Sequence, residues 1–342
     1  MLVNLIKGRN MTVKVAINGF GRIGRNILRA HIEKPRENIE VVAVNTVPSI
    51  IDSAYLLEFD SVHGRLPIPV QTEGNIMYVG NNKIQFLSER NPDDLDWGSI
   101  GVDVVMECTG IFTDAKKAAI HVSRGAKKVL VSAPSAGADL TVVFGVNQNL
   151  ISSEQKIISN ASCTTNCLAP IAYLLSKSCG IKQGFMTTIH SYTGDQRILD
   201  TEHNDLYRSR AAALNMIPTT TGAAKAVGLV LPELNGRLDG VAIRVPTPNV
   251  SAIDFVFEPS KQISAEEINH LIVNAAKEEL KGVLDFTDRE LVSTDFNHHP
   301  ASSIVHLDQT TVLKDGMARI FSWYDNEWGF SNRMLDTVSC MI

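Results

Sequence analysis

The chain has 342 residues, 44% of them hydrophobic and 20% charged, with a formal net charge of −5 at neutral pH. That length exceeds what one ordinary core takes, so two domains are expected. The acidic balance offers no pull towards nucleic acid or anionic membrane, and no apolar run approaches the length that crosses a bilayer. Residues 1–10 carry Lys7 and Arg9 but no sustained apolar segment, which argues against a secretory signal and reads as an N-terminal extension. Five cysteines (Cys108, Cys163, Cys167, Cys179, Cys340) are an odd number scattered along the chain, which suits a reducing cytoplasm better than a disulfide framework.

Val13, Val15 and Ile17 alternate towards Asn18-Gly19, and the spacing of Ile23, Ile27 and Ala30 predicts a helix over Arg22–His31 that stops before Pro35. A second β-rich run covers Ile39–Val44. Gly19-Phe20-Gly21-Arg22-Ile23-Gly24 thus lies between a strand and a helix, inside one βαβ unit. Further short runs at Val102–Met106, Val129–Ser132, Thr141–Val146 and Lys156–Ser159, with a helix over Ala115–Arg124, predict a doubly wound, mostly parallel sheet of Rossmann type.

The second half reads differently. Gly184–Tyr192, Leu238–Val245 and Val250–Phe257 are long strand candidates with no helix between the last two, which predicts a mixed or antiparallel sheet in an α+β domain. Leu168–Lys177 reads as a helix, Ser264-Ala265-Glu266-Glu267 as a capping box opening another, and Glu327–Ile342 as a closing helix. The expected division is a nucleotide domain over 11–162, a catalytic domain over 163–326, and a terminal helix, 327–342, returning to the first domain.

The glycine motif is weak alone, but its strand–helix setting lets the backbone approach a pyrophosphate and offers helix N–H groups to its charge. Where NAD-specific folds usually carry an acidic residue for the ribose, this chain has Asn45-Thr46. Thr46 either bonds the ribose hydroxyls or leaves room for a 2′-phosphate, and both readings stand. Cys163 lies among Ser162, Thr164, Thr165 and Asn166, which is poor core material, whereas Cys167 fits a core position. A thiol near a helix N-terminus with an imidazole, His190, at hand favours thiolate and nucleophilic catalysis, with a depressed thiol pKa expected. The cysteine spacing is a poor zinc signature, and no metal is expected. Thr219-Thr220-Thr221-Gly222 at a helix start reads as an anion site, with Arg208, Arg210 and Arg244 as possible phosphate ligands. Arg244 interrupts the apolar strand Val241–Val245 and needs an anionic partner.

From about Val13 to the C-terminus these residues resemble phosphorylating glyceraldehyde-3-phosphate dehydrogenases. The shared blocks include Asp60-Ser61-Val62-His63-Gly64, Ser132-Ala133-Pro134, Ala161–Cys167, Pro218–Lys225, Arg244–Asn249 and Trp323–Trp328. The resemblance implies oxidation of glyceraldehyde 3-phosphate to 1,3-bisphosphoglycerate, through a hemithioacetal and thioester on Cys163 with His190 as base. It implies Thr193 and Arg244 on the substrate phosphate, and Thr164, Arg208, Thr221 and Gly222 on the attacking phosphate, with Ser162 alongside. It implies a cofactor set of Asn18, Gly19, Phe20, Gly21, Arg22, Ile23, Gly24, Asn45, Thr46, Arg90, Thr109, Gly110 and Phe112, with Ser132, Asn326 and Phe330 towards the nicotinamide. The cofactor implied is NAD, the assembly a homotetramer in which the loop Tyr192–Ala213 reaches a neighbour.

Three departures bear on this. Thr46 stands where NAD-linked members carry Asp, Asp200-Thr201-Glu202 replaces a Leu-Pro pair, and Phe330 replaces a common Tyr. Arg90 could attract a 2′-phosphate and Glu202 could oppose it, so use of both NAD and NADP is expected. The alternatives are an erythrose-4-phosphate dehydrogenase, which needs no inorganic-phosphate site, and a non-enzymatic RNA- or surface-binding role.

Overall fold

The computed structural model describes residues 12–342; the extension read at 1–10 lies outside the described residues. Two compact units divide the described residues: 12–140 with 150–160 and 334–342, and 141–149 with 161–333. Residues 141–149, expected with the nucleotide domain, therefore group with the second unit. The closing helix is split between them, 328–333 grouping with the second unit and 334–338 with the first.

In the first unit six strands run parallel, in the spatial order Ile157–Ser159, Lys128–Val131, Val104–Glu107, Val13–Asn18, Ile39–Asn45 and Asn82–Leu87. Ile76–Val79 and Val70–Glu73 extend the sheet antiparallel. Successive strands wind outwards in both directions from Val13–Asn18, so the order reverses there, and the carboxyl ends of 13–18 and 104–107 flank the switch point where open α/β sheets bind ligands. Val15, Ala16 and Ile17 are fully buried, as a central strand covered on both faces requires. The first helix covers Arg22–Glu33 and buries Ile27, Leu28 and Ala30.

Two expectations fail locally. Of the run 141–146 only Thr141 is strand, as the end of Leu140–Thr141, because the Asn147 side chain accepts from Val143 N at 2.9 Å and donates to Thr141 O at 2.9 Å, folding 144–147 into a turn. The helix read over 115–124 is two short helices, Ala115–Ala118 and Ile120–Ser123, meeting at Ala119.

The second unit carries a mixed sheet ordered Ile217–Thr220, Leu238–Val245, Ile181–Ser191, Ser251–Pro259, Ala318–Tyr324, Ser303–His306 and Leu284–Thr287. Ile181–Ser191 runs parallel to Leu238–Val245, with His190 opposite Arg244, and antiparallel to Ser251–Pro259. The helices Cys163–Ser178, Ala223–Val230 and Ala265–Lys277 pack on this sheet in one core that includes Leu168, Ile171, Leu175, Met186 and Phe255. Each fully buried Leu or Ile there contributes about 1.5–3 kcal/mol. The period of two along the strand is clean: Met186, Thr188 and His190 are buried while Phe185 and Ile189 face outwards, exposed. Among the described residues no helix is long and apolar enough to cross a membrane.

Candidate active site

The helix expected from Leu168 begins five residues earlier, at Cys163. The Ser162 hydroxyl caps it, accepting from Thr165 N at 3.1 Å, while Asn166 N donates to Ser162 O at 2.9 Å. Ala161, fully buried with φ +56°, turns the chain into that cap. Cys163 consequently occupies the first helical position, where backbone N–H groups lack intrahelical acceptors.

His190 reaches the thiol from the neighbouring strand: its Nε2 lies 3.6 Å from Cys163 Sγ. Its Nδ1 lies 2.7 Å from Ser191 O and 3.0 Å from Arg244 Nη1. A carbonyl only accepts and a guanidinium only donates, so Nδ1 can serve one of them at a time. The shorter contact makes Nδ1 the donor to Ser191 O, and Arg244 Nη1 is satisfied by the same carbonyl at 3.1 Å. Nε2 then faces the thiol with a bare lone pair.

Burial pushes the Cys163 thiol up, with Arg244 and the Thr164 hydrogen bonds offsetting only part of the rise. Burial, then the Arg244 charge, brings His190 from 6.5 down to about 3. The depressed thiol pKa expected from the sequence is thus reversed, because desolvation of the sulfur outweighs the helix terminus. Among the described residues Arg244 pairs with no carboxylate and its buried Nε has no partner; burial, foremost, lowers its pKa too. A desolvated guanidinium without an acid is a standing anion site.

Behind the thiol, Tyr324 OH lies 2.8 Å from both the Thr164 and Thr188 hydroxyls, and Thr188 also donates to Ala252 O at 3.1 Å. Tyr324 lies in the shared block Trp323–Trp328, but the sequence assigns it no role, and it does not single out Thr188 at all. Asn326 Oδ1 accepts from Ser191 Oγ at 2.8 Å and Ser251 Oγ at 2.9 Å, which turns its amide nitrogen away as a free donor. Asp325 fixes that segment: its buried carboxylate accepts from Trp328 N at 2.7 Å and Asn249 Nδ2 at 2.8 Å. Phe330 is buried on the closing helix.

The other expected anion ligands are placed as follows. Arg208 Nε donates to Thr219 Oγ1 at 3.2 Å, so the Arg joins the threonine run, but Asp195 already pairs with it at 2.8 Å. Thr221 Oγ1 accepts from Ala223 N at 3.2 Å, and Gly222 is the exposed N-cap of the helix Ala223–Val230. Thr193 is half-buried just past the strand that carries His190. Arg210 is instead committed to Asp200 at 2.6 Å.

The first unit presents its own cleft of about 280 Å³, lined by Asn18, Gly19, Phe20, Gly21, Asn45, Thr46, Arg90, Thr109 and Phe112 of the expected set. Cys108, Glu89 and Pro48 also line it, unforeseen. Arg22, Ile23, Gly24, Gly110 and Ser132 are not among its lining residues. Gly19, at φ +95°, leaves no room for a Cβ, which would sit 2.6 Å from Thr109 N. A Cβ on Gly21 would meet nothing within 4 Å, so open space lies over the N-terminus of the helix 22–33, as a bound pyrophosphate requires. Arg22 is held by Asp60 at 2.5 Å. Although burial raises Asp60, hydrogen bonds from His63 N, Arg22 and Val62 N hold it at about 2.

Residues 13–115 match the family model of the glyceraldehyde 3-phosphate dehydrogenase NAD binding domain, and residues 162–326 that of its C-terminal domain. The chain belongs to this family. Glyceraldehyde-3-phosphate dehydrogenases of Xanthobacter flavus and Cereibacter sphaeroides are each 61% identical to it over 331 residues, covering 97% of this chain and 99% of theirs. The Zymomonas mobilis enzyme is 54% identical over 333 residues, with 97% and 99% covered. Like the family, the chain is an NAD-dependent oxidoreductase that oxidises glyceraldehyde 3-phosphate in glycolysis.

Proposed function

We propose that Cys163 is the nucleophile and His190 the base of a phosphate-dependent oxidation of glyceraldehyde 3-phosphate. The observation that carries this is a bare imidazole nitrogen 3.6 Å from a thiol at a helix N-terminus. Sγ attacks the aldehyde carbon while its proton passes to Nε2 and on to the new alkoxide, giving a hemithioacetal. His190, neutral again, takes the hydroxyl proton as hydride leaves, and a thioester remains on Sγ. NAD, when bound, supplies the acceptor of that hydride. A phosphate oxygen then attacks the thioester carbon, the C–S bond breaks, 1,3-bisphosphoglycerate departs, and the thiolate recovers the proton from the imidazolium.

Arg244 and Thr193 hold the substrate phosphate; the unpaired, desolvated guanidinium supports that role. Arg208, Thr221 and Gly222 hold the attacking phosphate. Ser162 and Thr164 act there through their backbone, since their hydroxyls are engaged with Thr165 and Tyr324. Asn326 offers its free amide N–H to the nicotinamide, and Ser132 and Phe330 are assigned to that group as well. NAD lies in the cleft of the first unit, and NADP is accepted as well, because Thr46 brings no negative charge and Arg90 has no acidic partner among the described residues. Initial rates with each cofactor, in the parent and in Thr46→Asp, test this: the substitution is expected to abolish NADP use, and equal ratios in both proteins would refute it.

The active form is a homotetramer. Ile198 and Leu206, 88% and 82% exposed within the loop 192–213, and the outward Phe185 and Val241 support association. Light scattering at micromolar concentration checks it. Five unpaired cysteines favour a reducing cytoplasm.

A further inference from the structure

A buried polar chain crosses the carboxyl edge of the first sheet, beneath the glycine turn. Asn18, Asn45 and Glu107 end three adjacent parallel strands, with Asn18 in register with both of the others. Asn45 Nδ2 donates to Asn18 Oδ1 at 2.7 Å, and Asn18 Nδ2 to Glu107 Oε2 at 2.6 Å. Glu107 Oε1 accepts from Thr109 N at 2.7 Å and also from the Thr109 hydroxyl. His121 closes the last corner. Trp97 Nε1, which can only donate, lies 3.1 Å from His121 Nδ1, so Nδ1 accepts and Nε2 carries the hydrogen. That Nε2–H points at Glu107 Oε2, 3.0 Å away. Glu107, His121 and Trp97 are 1%, 0% and 0% exposed. Four donors therefore converge on one buried carboxylate, which leaves it fully satisfied and the network rigid.

The network's ends are the walls of the cleft. Asn45 exchanges two hydrogen bonds with the Glu89 backbone, at 2.9 and 3.0 Å. Cys108 N donates to Asn18 O at 2.7 Å, Gly19 N to Asn45 O at 2.8 Å, and Ile111 N to Thr109 Oγ1 at 3.1 Å. Gly19 packs directly on Thr109 N, so a shift of Thr109 displaces the glycine turn.

We propose that Glu107 and His121 are positioning residues for NAD: their contact sets the mutual spacing of the loops at 19–21, 89–90 and 109–112 to which the cofactor binds. Neither side chain lines the cleft, so both act through Asn18 and Thr109. The proposal rests on the reading that NAD occupies this cleft.

The test uses the full-length protein, with the dissociation constant of NAD from fluorescence quenching and the KM for NAD from initial rates. In His121→Leu both are expected to rise about tenfold or more, as for loss of a hydrogen bond to a buried charge, with kcat at saturating NAD little changed. His121→Gln keeps an N–H within reach of Glu107 and is expected to recover most of the affinity. Both variants lose the ring that packs against Trp97 and Phe112, so a purely structural role would lower both melting temperatures and leave their NAD affinities alike. Equal affinity in the two variants overturns the proposal. Should His121→Leu not fold, Glu107→Gln, which turns an amide N–H2 against donors, carries the test: a tenfold loss supports the clamp and an unchanged dissociation constant overturns it. Gly21→Val fills the opening over the helix and should weaken NAD regardless; unimpaired binding there would overturn the assignment of the cleft itself, not the clamp.

Discussion

Replacing His190 by Asn tests how the half-buried thiol becomes reactive. Burial opposes charge on Cys163 and on His190 taken singly, raising one and lowering the other. Charged together they attract: at the 3.6 Å separation of Sγ and Nε2, an effective dielectric of about 20 gives about 4–5 kcal/mol. Part of that is lost to solvent, because Cys163 is only half-buried by its accessible surface. A retained half, about 2 kcal/mol, still corresponds to a roughly thirtyfold change in thiolate population. Asparagine removes the proton acceptor and the attraction while filling much of the same volume. Alkylation of Cys163 by iodoacetamide, followed from pH 5 to 10 by mass spectrometry, is the assay. The variant is expected to react more than tenfold more slowly at pH 7, with its profile moved to higher pH, because burial is then opposed only by Arg244 and the Thr164 hydrogen bonds. An unchanged profile would mean that His190 does not take the thiol proton, and the proposed base would be wrong.

Arg244→Leu should lower kcat/KM for glyceraldehyde 3-phosphate about 10²-fold or more, as for two lost charge-assisted hydrogen bonds, and affect unphosphorylated glyceraldehyde much less; similar losses on both substrates would remove Arg244 from the phosphate. Tyr324→Phe leaves the Thr164 hydroxyl without its buried partner and should cost about 1–3 kcal/mol in denaturant unfolding, with no cost expected if water replaces the phenol. Asp60 sits at about 2, below its ordinary 3.8, so its contribution is complete above pH 4 and is lost as pH falls through 2. Asp60→Asn should flatten that acid limb by about 2 kcal/mol, and an equally steep limb in the variant would refute the assignment.

The parts of the fold that were legible in the sequence are those where one rule acts alone. The alternation of Val13, Val15 and Ile17 and the helical spacing after Arg22 are read directly, because buried strands and amphipathic helices impose periods of two and 3.6. The capping box at Ser264 is another such case, with both of its hydrogen bonds formed. Reading failed where a single side chain overrules the period. Asn147 bends a β-branched run into a turn, and Ser162 starts a helix five residues ahead of its apolar stripe. Cys163, His190 and the glycine motif carry chemistry in their residue types, so pattern alone finds them. Tyr324, Thr188, His121 and Trp97 do not: each is an ordinary core residue by composition, and only the tertiary fold brings its one polar atom to a partner. The thiol pKa was misjudged for a related reason, since sequence identifies a helix terminus and says nothing of desolvation.

The most direct test of the central claim is a single turnover with NAD and glyceraldehyde 3-phosphate in the absence of inorganic phosphate, quenched in acid and mapped by mass spectrometry. A burst of NADH close to one per active site is expected, with a 3-phosphoglyceryl thioester on the peptide bearing Cys163, its release restored by phosphate, and neither burst nor adduct in Cys163→Ser. Sustained turnover without phosphate, or oxidation retained in Cys163→Ser, would contradict a covalent thioester resolved by phosphate.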